Sequence, residues 1–264
     1  MFELSKEQFQ CVQALLPPSG NFIEPKAVID LNNPGWVFAD SLTRPKAAMV
    51  WSQGNYGFYL LGKYTAQHAI ALNRLIDTTI IPRLVSKKID DFEFSGVPPI
   101  TDEDLESIFK SRSLSSWKQT VFKYNNGHSV PDIIPQQGKL CDIKEVLTEN
   151  PAFVNEVILN YWESLGAFYA KADGYCVLVD NVIASWAITG WIAGNIHEIT
   201  IETVDIHRQK GYAKACASAL INCYLKKGYI PHWECETANT PSAKLAEGFG
   251  FVKSNEYMCY GLKF

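Results

Sequence analysis

Apolar residues in the first half of the chain follow two different rhythms. Residues 36–39, 47–52 and 57–61 are short runs rich in aromatic and aliphatic side chains, as strands are, and Gln53-Gly54-Asn55 supplies a turn between the last two. From Ala66 the spacing changes, and Ala66, Ile70, Leu72, Leu75, Ile76, Ile80 and Leu84 recur at roughly helical intervals. Thr65 is placed to cap that helix, and Pro82 predicts a kink or break in it. Upstream, residues 5–16 read as an amphipathic helix, capped by Ser5 with Gln8 three positions on and stopped by Pro17 and Pro18. Thr101-Asp102-Glu103-Asp104 opens a further helix through Phe109, and residues 117–124 read as strand again.

Residues 125–139 mix Asn, Gly, Pro and Gln without periodicity, which predicts a domain boundary there: 1–135 as an N-terminal α/β domain, 136–264 as a second domain. The second half alternates more cleanly. A helix over 151–164 precedes strands at 174–179, 183–191 and 198–204. A helix over 213–227 follows, with residues 213, 217, 220, 221 and 224 on one face and Lys226, Lys227 and Gly228 at its end, as the helix dipole and a left-handed terminal residue favour. A strand at 230–236, a short helix from Thr240-Pro241 to about 248–250 and a last strand at 257–264 complete a mixed-sheet α/β fold.

Composition narrows the classes. Hydrophobic residues make up 47% and aromatics 12% of 264 residues, enough to form a core. The formal charge of −4, from 24 Lys plus Arg against 28 Asp plus Glu, comes without a basic stripe and argues against nucleic acid as the main partner. Uncharged stretches at 47–62 and 181–196, 16 residues each, are shorter than the ~18–20 apolar residues of a membrane span. Seven cysteines, none spaced C-x-x-C, and Glu3, Lys6 and Glu7 at the N-terminus predict a cytoplasmic protein without a disulfide framework. The five histidines, among them His68, His128 and His197, show no metal-ligand spacing, so no metal is expected. The oligomeric state is open.

The chemistry concentrates between a strand ending at Val204 and a helix starting near Ala213. His207-Arg208-Gln209-Lys210-Gly211-Tyr212-Ala213-Lys214 joins them, so that backbone N–H groups and the positive helix end converge on one point, as a phosphate or pyrophosphate requires. Gly211 allows the turn, and Arg208, Lys210 and Lys214 add positive charge. One strand later, Asn239-Thr-Pro-Ser242-Ala-Lys-Leu245 runs on to Gly250-Phe251. The pair of motifs resembles the GNAT acetyltransferase superfamily: 208–213 matches its R/Q-x-x-G-x-G/A, and 239–251 its N-x-x-[AS]-x-x-L…G-F. The C-terminal half looks most like the branch related to zwittermicin A resistance acetyltransferases. The resemblance covers about residues 150–264 and implies a GNAT fold there. The N-terminal part carries no assigned role; a degenerate GNAT-like half is one reading.

The resemblance implies acetyl-CoA as co-substrate. Backbone groups from Gln209 through Lys210, Gly211, Tyr212 and Ala213 to Lys214, with Arg208 beside them, would hold the pyrophosphate. Thr203 and Val204 would pair with the pantetheine amides like an added strand, and Asn239 and Ser242 would contact the arm from the other side. Acetyl transfer needs a neutral amine, so a carboxylate or ordered water must take its proton. Glu198 and Glu202 fall on one face of their strand, and both are candidates for that base. Ala246 stands where many GNAT enzymes carry a thiolate-protonating Tyr, which leaves water, Tyr257 or Tyr260 for that step. Cys235, His207 and His232 read as packing, loop and strand residues rather than catalytic groups. The expected function is direct acetyl transfer to a primary amine of a small, antibiotic-like molecule, the acidic residues Glu198, Glu202, Glu234 and Glu236 favouring a cationic one. The alternative is a catalytically idle acetyl-CoA-binding module with a regulatory partner.

Overall fold

The computed structural model describes residues 1–18 and 21–264. The chain forms two compact units, Met1–Gln119 with Glu256–Phe264, and Thr120–Asn255.

In the first unit β1 (Phe2–Glu3), β2 (Gly35–Ala39), β3 (Ala47–Ser52) and β4 (Gly57–Gly62) pair antiparallel in sequence order. β5 (Asp91–Gly96) lies parallel to β4, with Gly57 opposite Glu93 and Leu60 opposite Gly96, and residues 259–263 pair antiparallel with β5 on its other side. Alternation along the strands sends Phe38, Met49, Trp51, Phe58, Leu60, Phe92 and Phe94 to one core, where they meet Leu72, Ile76, Ile80 and Leu84. Val37, Ala48, Val50, Tyr59 and Leu61 face a second core with Phe9, Val12, Val28 and Ile29. β3 is therefore buried on both faces and reads in sequence as a continuous apolar run.

Besides Lys6–Leu15, three helical segments serve these cores: α1 (Ile23–Ile29), α2 (residues 66–86) and α3 (Asp102–Ile108). Within α2 a π turn, Ile76–Ile80, joins Ala66–Leu75 to Ile81–Ser86. The expected disturbance at Pro82 takes this form, the wider turn lying where the proline cannot sustain the regular backbone ladder. The segment Lys6–Leu15 winds as 3₁₀ helix, with Ser5 N–H donating to Gln8 Oε1 at 2.9 Å.

The second unit includes residues 120–124 of β6 (Ser115–Tyr124), then β7 (Lys139–Asp142), β8 (Gly174–Val179), β9 (Val182–Ala193) and β10 (Ile196–Thr203). β7 to β10 pair antiparallel in order, and β11 (Ile230–Glu236) adds parallel to β10. β12 (Phe251–Lys263) contributes residues 251–255 to this unit. A parallel pair needs a crossover. Here it is α6 (Tyr212–Lys227), introduced after α4 (residues 151–161) and α5 (Leu165–Lys171) and before α7 (Thr240–Gly248). Ala215, Ala217, Leu220, Ile221 and Tyr224 of α6 pack with Val177, Ala184, Ala187, Ile199 and Trp233. On the opposite face Ile158, Trp162 and Phe168 cover Cys176, Trp186, Ile188 and Ile192.

The expected boundary at residue 135 falls inside this unit. Residues 125–138 are irregular yet anchored to α6, Ser218 Oγ donating to Pro131 O and Asn222 Nδ2 to Asp132 Oδ1 at 2.9 Å. Both units repeat one succession: an antiparallel strand pair, a parallel partner, a long helix after the first parallel strand and a short one after the second. No helix among the described residues is long and apolar enough to cross a membrane.

Candidate functional site

The two parallel strands of the second unit pair for only three registers, Ile196 with Ile230, His197 with Pro231 and Glu198 with His232. β10 then runs on to Thr203 and β11 to Glu236 without pairing with each other. A cleft of about 760 Å³ lies there, lined by Glu202 and Thr203 of β10, by Arg208, Gln209, Gly211, Tyr212, Ala213 and Lys214, and by Asn239 and Ser242.

The loop entering α6 forms one wall. Asp205–His207 makes a 3₁₀ turn, and Gln209 (φ +62°) and Gly211 (φ +78°) are left-handed. A Cβ at Gly211 would meet nothing within 4 Å, so the glycine is required by backbone conformation, not by space. The first intrahelical bond runs from Ala215 N to Gly211 O at 3.1 Å. The N–H groups of Tyr212, Ala213 and Lys214 therefore have no partner in the helix. Gly211, at the N-cap, has no side chain to serve them. Several other helices carry a side-chain cap, Thr65 Oγ1 accepting from His68 N at 3.3 Å, Thr101 Oγ1 from Asp104 N at 3.2 Å and Ser164 Oγ from Ala167 N at 3.1 Å, while α1 and α4 have none. The 16-residue α6 leaves its positive end bare toward the cleft.

The expected cofactor residues divide by position. Lys214 lines the cleft, whereas Lys210 is exposed outside it. Arg208 also lines it, but its guanidinium turns back to Asp205 at 2.7 Å and to Thr203 O at 3.4 Å. Val204 is outside the cleft lining with its backbone engaged, N–H to Ala184 O at 3.0 Å and C=O from His207 N at 2.8 Å. Thr203 Oγ1 lies 2.7 Å from Ser185 Oγ. Across the cleft Asn239 Oδ1 caps α7, accepting from Ser242 N at 3.2 Å, while Ser242 Oγ accepts from Trp233 Nε1 at 3.0 Å.

Glu198, Thr200 and Glu202 share one face of β10. The register slip opposite Glu198 places the extra residue on β9, so the alternation of β10 is unbroken. Glu202 is exposed at the cleft, and Glu198 is buried. Gly190 of β9 admits this face closely, since a Cβ there would overlap Thr200 Oγ1.

Tyr257 and Tyr260 belong to the first unit. Tyr257 packs on Phe22, ring centroids 5.2 Å apart, and burial with Asp102 beside it pushes the Tyr260 hydroxyl up to about 12. Ala246 is fully buried in the α6 core. Burial also raises the Cys235 thiol, which disfavours the thiolate a covalent route would need. His232 Nε2 lies 3.8 Å from Glu234 Oε2. Among the described residues no three His, Cys, Asp or Glu side chains gather as a metal site.

Ile201, Pro241 and Leu245, which carry no cofactor role by sequence, and His207, expected only as a loop residue, all line the cleft. Leu245 sits at the motif leucine, and His207 opens the loop, so both positions carried a signal.

Residues 19–260 match the sequence model of the GNAT acetyltransferase family. The chain belongs to that family. The protein is thus a GNAT N-acetyltransferase, and enzymes of this family generally use acetyl-CoA. It is 25% identical over 271 residues to the uncharacterized N-acetyltransferase YdfB of Bacillus subtilis (strain 168), covering 98% of this chain and 97% of that one. Its fold is similar to that of a GCN5-related N-acetyltransferase-like protein from Streptococcus suis 89/1591, with TM-score 0.74, 20% identity and coverage of 97% and 99%. It is also similar in fold to a tandem GNAT protein from the clavulanic acid biosynthesis pathway, with TM-score 0.58, 12% identity and coverage of 99% and 97%.

Proposed function

We propose that this GNAT enzyme seats acetyl-CoA in the cleft between β10 and β11 and transfers its acetyl group directly to a primary amine of a small molecule. The observation that carries the reading is the bare N-terminus of α6 facing a gap between two parallel strands. Backbone N–H groups of residues 209–214 bind the diphosphate, with Lys214 adding charge and Gly211 keeping the approach open. The cleft-facing edge of β10 at Thr203 pairs with amides of the pantetheine arm as an added strand would. Asn239, whose Oδ1 is committed to the cap, offers its Nδ2 from the far side, and Ser242 offers its hydroxyl.

Bound there, acetyl-CoA supplies the acetyl group on an activated thioester. Glu202 takes the amine proton at its carboxylate, with Glu198 behind it on the same strand face. The high thiol pKa of Cys235 favours direct transfer over an acylated cysteine. The experiment is release of CoA thiol from acetyl-CoA over a panel of primary amines, polyamines and peptides. Turnover on small amines supports the reading. Turnover confined to peptides, or tight binding without turnover on any amine, overturns it.

A further inference from the structure

We infer that Trp233 is a positioning residue for this cleft: its indole fixes the Ser242 hydroxyl as a hydrogen-bond donor toward a carbonyl of the bound pantetheine arm. The inference rests on the reading of the cleft as the acetyl-CoA site.

Trp233 is buried on β11, edge-on to Phe251 at 5.7 Å, and its Nε1 donates to Ser242 Oγ at 3.0 Å. An indole nitrogen can only donate, so the serine oxygen must be the acceptor and its own proton points elsewhere. The main-chain N–H of Ser242 is already given to Asn239 Oδ1 at 3.2 Å. The hydroxyl proton is thus the one donor Ser242 has left, and its direction is set from behind by the tryptophan.

Two acceptors compete for it. Cys235 lies two residues along β11, on the same face as Trp233, and its thiol is a hydrogen-bond neighbour of Ser242. A thiol sulfur accepts weakly. The other direction is the cleft, which Ser242 lines. A carbonyl oxygen arriving there is the stronger acceptor and draws the proton from Cys235. The buried indole needs a partner for folding in any case, so one bond serves both packing and recognition.

A double-mutant cycle tests this. Trp233→Phe keeps a ring against Phe251 and removes the donor together with the five-membered ring, while Ser242→Ala removes the hydroxyl and leaves the indole in place. Calorimetric titration with acetyl-CoA is expected to show affinity about fivefold weaker in each single variant, and no further loss in the double variant. The KM for acetyl-CoA should rise in step, while the KM for the amine stays at the wild-type value. Wild-type affinity in Trp233→Phe, or losses that multiply in the double variant, overturns the inference. Should the Phe variant fail to fold, unchanged affinity in Ser242→Ala overturns it alone, and a fivefold loss there supports it. Lys214→Ala and Gly211→Val serve as controls for the cleft itself. If they too bind normally, the acetyl-CoA reading fails; if they bind weakly and the Trp233 and Ser242 variants do not, only the positioning role fails.

Discussion

Glu198 of β10 stands opposite His232 of β11 in the last register the two parallel strands share. Past that pair the strands separate, and Glu202, on the same face as Glu198, lies where solvent and cleft meet. The carboxylate at the paired end is buried, and the one beyond it is exposed at the cleft.

Glu202 is therefore the group expected to take the amine proton. Glu202→Gln should lower kcat/KM for the amine by roughly a hundredfold near neutral pH, with acetyl-CoA affinity unchanged. The loss should hold at every point of a pH series. Full turnover at every pH would remove Glu202 from the reaction.

Gly211 holds a left-handed conformation in open space, so a substitution acts through backbone strain alone. Gly211→Ala is expected to cost about 1 kcal/mol of stability, and Gly211→Asn less, since Asn tolerates that conformation better. Urea unfolding of the three proteins checks the order. Gly211→Val should also weaken acetyl-CoA at least tenfold, because a branched side chain reshapes the loop.

Lys214 and Lys210 differ by position, not by charge. Lys214→Ala should weaken acetyl-CoA several-fold, an effect that shrinks at high salt, and Lys210→Ala should leave it nearly unchanged. Titrations at two ionic strengths separate them. Equal losses would mean that only the summed charge of the loop matters.

His197 is buried and stacked on Tyr229 with centroids 3.8 Å apart, and burial lowers its pKa from 6.5 to about 4 despite Asp173 nearby, whose carboxylate is paired with Lys227 at 2.6 Å. The unfolded chain takes the proton near pH 6.5 and the folded one only near 4. Stability from this group is thus complete above pH 6.5 and is lost as pH falls toward 4. In urea unfolding over that range, His197→Gln should show a shallower pH slope by up to one proton. An unchanged slope would assign the acid sensitivity to other groups.

The first unit repeats the strand and helix succession without the cleft's openings. β4 stays paired with β5 through Leu60 and Gly96, and Val97 N continues the ladder to Leu60 O at 2.8 Å. Thr65 and His68 cap the following helix reciprocally, which engages the Thr65 and His68 amides, the counterparts of those of Gly211 and Lys214. Titration should give one acetyl-CoA per chain; two equivalents would place a second seat in this unit.

Much of this was legible in the residues. The apolar face of α6, its Gly211 entry and its Gly228 exit were explicit, because each is a local demand on backbone conformation, whereas the cap expected from Thr240 falls one residue earlier, on Asn239. The strand Asp91–Gly96 was overlooked although Phe92 and Phe94 alternate with Asp91 and Glu93. Residues 125–139 read as the place of a domain boundary because their anchors, Ser218 and Asn222, lie some 90 positions away. Engagement of the Val204 N–H by Ala184 O is a tertiary choice that no spacing rule encodes, while the turn of Arg208 toward Asp205, three positions before it, is a local contact.

A crystal structure of the protein with bound CoA bears most directly on the whole account. The diphosphate is expected within hydrogen-bond distance of the Gly211, Tyr212, Ala213 and Lys214 amides, with the arm running between β10 and β11. A nucleotide bound anywhere else, with those amides facing only water, would contradict it.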